Sequence, residues 1–129
     1  MTDCLFCKIA AGDIPAKIVY QDELIVAFDD IRPQAPVHTL IIPREHFAAL
    51  PDVPAGEGEG NGCSGGGDQK NGGGLLAHIL LKAPQIAAAK GVAASGYRIV
   101  LNTGPDSGQD VFHIHFHLLG GRRMAWPPG

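Results

Sequence analysis

From Phe112 to Leu118 apolar residues and histidines alternate without a break, and this alternation constrains the fold more than any other stretch of the chain. Successive side chains of a strand point to opposite faces, whereas a helix would scatter the three histidines around its axis. The pattern predicts a strand over 111–119, with Val111, His113, His115 and His117 on one face and Phe112, Ile114, Phe116 and Leu118 on the other. One face then packs in a core and the other presents imidazoles.

Other runs have the same character. Ile18 to Tyr20, Leu24 to Phe28, Thr39 to Ile42 and Tyr97 to Asn102 read as short strands separated by turn-forming segments, the first two as a hairpin. Cys4 to Ala11 reads as a short helix that Gly12 ends. Leu75, Leu76, Ile79, Leu80, Ala83, Ile86, Ala87 and Lys90 keep a helical period up to Gly91, with Pro84 expected to kink the helix. Between them, residues 51–74 lose apolar periodicity and carry two triple-glycine runs, a composition expected to form a flexible loop insert. Five strands with one long and one short helix predict an α+β domain spanning 1–129, built on a mainly antiparallel sheet.

Charge and cysteine usage narrow the function classes. A net charge of −3 without any Lys/Arg run argues against nucleic acid and anionic membranes as partners. No apolar stretch is long enough to span a bilayer, and the first residues do not resemble a signal peptide, so a cytoplasmic protein is expected. Three cysteines do not make a disulfide framework; Cys4 and Cys7, in a C-x-x-C spacing, suit metal or redox chemistry or else two buried small side chains.

An in-register histidine trio has three readings. It is a solvated strand face, part of a metal site, or a phosphate site. Same-face residues of a straight strand lie about 6.8 Å apart, so all three cannot converge on one ion. Neutral imidazole is a good nucleophile toward phosphorus, and its second nitrogen allows one tautomer to be held, while flanking histidines donate to phosphate oxygens.

His113 to Leu119 resembles the histidine-triad signature, His-apolar-His-apolar-His-apolar-apolar. Ile14 to Ile18, Asp30 to His38, Leu40 to Pro43 and Gly120 to Gly129 extend the resemblance to the nucleotide-binding (Hint) branch of that family over nearly all of the chain outside 51–74. The resemblance implies a histidine-triad fold whose sheet continues across a homodimer. It also implies a purine nucleoside phosphoramidase that cleaves the P–N bond of an AMP or GMP amine adduct through a nucleotidyl-histidine. His115 carries the nucleophile's role, the carbonyl of His113 fixes its tautomer, His117 donates to a non-bridging oxygen and His38 supports the group.

By the same carry-over, Asp30 holds the ribose hydroxyls, Phe6, Ile9, Ile14, Phe28 and Ile31 wall the base, and Asn102 and Gln109 line the phosphate site. Trp126 shapes the site of a partner subunit. Asp110 stands where many relatives have serine; an ionised carboxylate there repels phosphate oxygens unless it is protonated, turns away, or favours a cationic leaving amine. No cofactor is required for the chemistry, but Cys4, Cys7, His46 and His113 match a structural zinc site of some relatives. His78, on the helix pattern, reads as a surface or packing residue. Two other functions are carried alongside: dinucleoside polyphosphate hydrolysis or nucleotidyl transfer, and non-catalytic nucleotide sensing.

Overall fold

The computed structural model describes residues 4–54 and 72–129. Helix α1, Leu5–Ala11, begins where the Cys4 sulfur accepts the Cys7 N–H at 3.3 Å, satisfying one of the orphan donors of the first turn. It ends at Gly12, whose φ of 84° lets its N–H turn back to the carbonyl of Ile9, while Asp13 N–H reaches that of Lys8. The C-terminal end falls where the sequence put it, and the helix starts one residue later, with Cys4 as its cap.

Strands β1 (Ile18–Gln21), β2 (Ile25–Asp29), β3 (Val37–Pro43), β4 (Tyr97–Leu101) and β5 (Phe116–Gly120) form one antiparallel sheet in the order β1-β2-β3-β5-β4. Helix α2, Gly72–Ala89, lies against one face, burying Leu75, Ile79, Ala83, Ile86 and Ala87 on Ile25, Ala27, Ile41, Ile114, Phe116 and Leu118. Each of these larger side chains contributes about 1.5–3 kcal/mol of burial, so packing rather than propensity holds the helix. α1 covers part of the other face through Phe6, which packs with Val26, Phe28, Leu40 and Ile42. The uncovered remainder of that face is where a ligand can enter.

Two expectations are revised. α2 starts at Gly72, inside the segment read as loop, and Pro51 and Asp52 lie in a single 3-10 turn, Leu50–Asp52. The rest of the glycine-rich insert, 55–71, lies outside the described residues. Pro84 sits on the exposed side of α2, and the helix continues through it, so its missing hydrogen bond is on the water side.

The second revision bears on the site, because β5 begins at Phe116 rather than Val111. Its ladder with β3 stops at the pair Ile41 and Phe116. Two steps further the ladder would oppose Ile114 to Pro43, which has no N–H, and the Pro43 carbonyl is taken at 2.8 Å by Nε2 of His113. The segregation of faces nevertheless extends beyond the ladder: Ile114, Phe116 and Leu118 enter the α2 core, and Val111 packs on the α1 side. Phe112, expected in the core, is 61% exposed.

Candidate active site

The open part of the α1 face is a cleft of about 700 Å³. Phe6 and Phe28 form buried walls, Ile9 and Ile14 flank them half-buried, and Ile31 stands 91% exposed at the mouth. Asp30, His38, His115, His117 and Asp110 line the same cleft.

Hydrogen bonds fix the protonation of each imidazole. His115 donates from Nδ1 to the His113 carbonyl at 2.8 Å, which leaves Nε2 with a lone pair. Nδ1 of His38 accepts the Gln34 backbone N–H at 3.0 Å, so the His38 proton sits on Nε2. From there it is donated to Nδ1 of His117 at 2.9 Å, with the Asp30 carboxylate 3.5 Å away. With Nδ1 accepting, His117 carries its proton on Nε2, and that buried atom has no hydrogen-bond partner among the described residues. A lone pair on His115 and an unsatisfied donor on His117 therefore occupy neighbouring rings, 4.9 Å between centroids.

The electrostatics favour the neutral forms of His38 and His117. Burial pushes the His117 pKa down, and the nearby His115 and His38 push it further, to about 4. Burial also lowers His38 against the opposing pull of Asp30, and lowers His113. Tautomers, not charges, thus define the donor and acceptor pattern near pH 7. Asp30, Oδ2 of which faces His38, accepts the Arg32 N–H on Oδ1 at 2.8 Å.

Behind this site lies a second cluster. The Cys4 sulfur is 3.4 Å from Nδ1 of His113, the Cys7 sulfur 3.3 Å from Nδ1 of His46 and 3.5 Å from Nδ1 of His113, and the two Nδ1 atoms are 3.2 Å apart. Since Nε2 of His113 donates to Pro43, its Nδ1 presents a lone pair to the other three.

The HIT domain profile matches residues 11–124 of the chain. The chain belongs to the HIT domain family. An uncharacterised HIT-like protein of Synechococcus elongatus is 47% identical over 127 residues, covering 98% of this chain and 97% of the relative. The crystal structure of a HIT family hydrolase from Legionella pneumophila is 51% identical with a TM-score of 0.82, covering 98% and 99%. A Zn-bound histidine triad family protein from Mycobacterium smegmatis is 31% identical with a TM-score of 0.71, covering 94% and 76%. The five-stranded antiparallel sheet with two helices is the HIT fold. No helix among the described residues is long and apolar enough to cross a membrane.

Not every residue expected at the HIT cleft lines it. Gln109 is buried with its polar atoms used in the adjoining loop: Nε2 donates to the carbonyls of Ala48 and Val111, and Oε1 accepts Gly104 N–H. It positions Asp110 and Val111 instead of facing the cleft. Asn102 is half-buried just beyond β4, outside the cleft lining. Trp126, expected at a partner subunit's site rather than this one, is 80% exposed, with the Arg98 guanidinium 5.8 Å from its ring centre. Asp110 is exposed and lines the cleft.

Sequence reasoning missed several residues. Lys90, read only as part of a helix period, reaches the cleft and pairs with Asp29 at 2.9 Å, where Thr39 also donates. It follows α2, which ends at Ala89, and no sequence pattern pointed it at the cleft. Gln34 acts through its backbone, which no sequence pattern reveals. His78 has a partner after all, Asp22, at 2.7 Å.

Proposed function

We propose that this HIT-family chain is a hydrolase acting on purine nucleoside 5'-phosphoramidates. The observation that carries the reading is the pairing of an unprotonated His115 Nε2 with the unpartnered His117 Nε2–H in one cleft. A nucleophile and a donor to a phosphate oxygen require that arrangement. The likeness to a HIT family hydrolase supports the reaction class.

In this account the base enters between Phe6, Phe28, Ile9 and Ile14, and burial between apolar walls holds it. Asp30 accepts from the ribose hydroxyls, a preference for ribonucleotides. His115 Nε2 attacks the α-phosphorus, forming a P–N bond to imidazole as the substrate P–N bond breaks, and the amine departs with a proton taken from solvent, which is returned when water adds in the second step. His117 Nε2–H stabilises charge on a non-bridging oxygen. Water then attacks the nucleotidyl-histidine, releasing the nucleoside monophosphate and regenerating neutral His115. The His113 carbonyl holds the imidazole in position and stabilises the proton on Nδ1 throughout.

Cys4, Cys7, His46 and His113 fit a zinc ion. Tetrahedral coordination at ordinary Zn–S and Zn–N lengths puts ligand atoms about 3.3–3.8 Å apart, close to the 3.2–3.5 Å separations found here. The M. smegmatis relative described as Zn-bound supports the choice of metal. Bound there, zinc would supply a structural cross-link with no open position, tying α1 to the segment after β3 and to the approach to β5. Metal analysis is expected to find one zinc per chain, and its removal by a chelator to lower the Tm.

A second copy of the chain pairing along β4, the last strand of the described sheet, completes the proposed assembly, with Trp126 near the partner's site. Turnover tests the activity: an adenosine phosphoramidate is expected to be cleaved with far higher kcat/KM than a diadenosine polyphosphate. The reverse order would move the assignment to polyphosphate chemistry, and binding without turnover of either would leave a sensing module.

A further inference from the structure

The imidazole relay starts from a backbone N–H, and that backbone is itself held from the far end of the chain. Gln34 lies in the loop between β2 and β3; its N–H goes to Nδ1 of His38, and its carbonyl accepts from Nη2 of Arg122 at 3.1 Å. Its side chain closes the same loop by donating to the Arg32 carbonyl at 3.0 Å. Arg122 follows β5 and does not line the cleft.

The tail that carries Arg122 is fixed on both sides. Gly121 has φ +91°, and a Cβ there would stand 2.8 Å from Cβ of Pro36, so the tail crosses this loop in contact with it. Further on, Arg98 of β4 donates to the Ala125 carbonyl at 3.0 Å. Arg122 also donates from Nη1 to the Arg123 carbonyl at 3.3 Å, which orients its guanidinium. Thus β5 supplies His117 to the relay, and the residues just after β5 hold the carbonyl of Gln34, the residue whose N–H begins it.

We infer that Arg122 is a positioning residue that, by anchoring the Gln34 carbonyl one peptide beyond the N–H that meets His38, holds Gln34 in place and so sets the tautomers of His38 and His117 and the donor on His117 Nε2. If the Gln34 N–H drifts from His38 Nδ1, that nitrogen is free to take the proton. His38 Nε2 then becomes an acceptor, His117 must donate to it from Nδ1, and His117 Nε2 is left with a lone pair facing the phosphate. The inference rests on the proposed role of His117, but its first readout does not need substrate.

Imidazole nitrogen NMR of histidine-labelled protein without ligand tests it. The wild type is expected to show His38 and His117 each protonated on Nε2 only. Arg122→Met is expected to show mixed tautomers in both rings, with kcat on an adenosine phosphoramidate falling about three- to tenfold, the scale of losing one exposed charge-assisted hydrogen bond. KM should change less than twofold, and Arg122→Lys should restore part of the wild-type tautomer signal. Gln34→Pro, which deletes the N–H itself, is expected to shift the tautomers at least as far. Wild-type tautomers in Arg122→Met overturn the inference whatever happens to kcat. Shifted tautomers in a chain that turns over no phosphoramidate leave it standing and remove the functional reading instead.

Discussion

Asp110 sits exposed at the cleft, close enough for its charge to be felt at His117. A carboxylate beside phosphate oxygens is unfavourable unless the departing group brings a positive charge. Asp110→Ser is therefore expected to improve kcat/KM for neutral amines and reduce it for cationic ones, a relative change of about tenfold, or 1.4 kcal/mol. Equal effects on both amine classes would contradict this. The three histidines were legible because their type and alternation are tied to their chemistry, whereas Asp30 was reached only through the family resemblance. Gln34 and Gln109 were not legible: Gln34 fixes His38 through its backbone N–H, and the Gln109 amide is spent on loop backbone atoms distant in sequence.

At the scale of elements, strand alternation and helix periodicity gave the sheet and the two helices, because both follow from which side of an element is buried. The start of β5 was hidden because it depends on Pro43, some seventy residues earlier, and on a side chain that takes its carbonyl. Another hidden junction ties α2 to the β1–β2 hairpin. Asp22 accepts from Tyr20 and His78 on Oδ2, both at 2.7 Å, and from the backbone of Leu24 and Ile25 on Oδ1. Burial alone would raise its pKa, but these four donors outweigh that and bring it to about 2. Asp22→Asn turns an amide toward two donors and is expected to cost about 1–3 kcal/mol in chemical denaturation. Turnover by the folded fraction should stay near wild type, since Asp22 is remote from the cleft lining.

For the whole molecule, the catalytic face is built from imidazoles that folding strips of solvent. The folded pKa of His117, about 4, lies below its ordinary 6.5, and His38 is displaced the same way. The unfolded chain therefore binds more protons in that interval, so stability is full above about pH 6.5 and falls as pH drops toward 4. His117 accounts for up to about 3 kcal/mol of that loss, and denaturation curves of His117→Gln should show a correspondingly shallower fall. A variant as acid-sensitive as the wild type would contradict it. The central claim is that His115 becomes covalently attached to a nucleotide during turnover. Acid quenching with a labelled adenosine phosphoramidate tests it most directly: label should be trapped on the wild-type chain and absent from His115→Ala. Equal labelling of both chains would contradict the account.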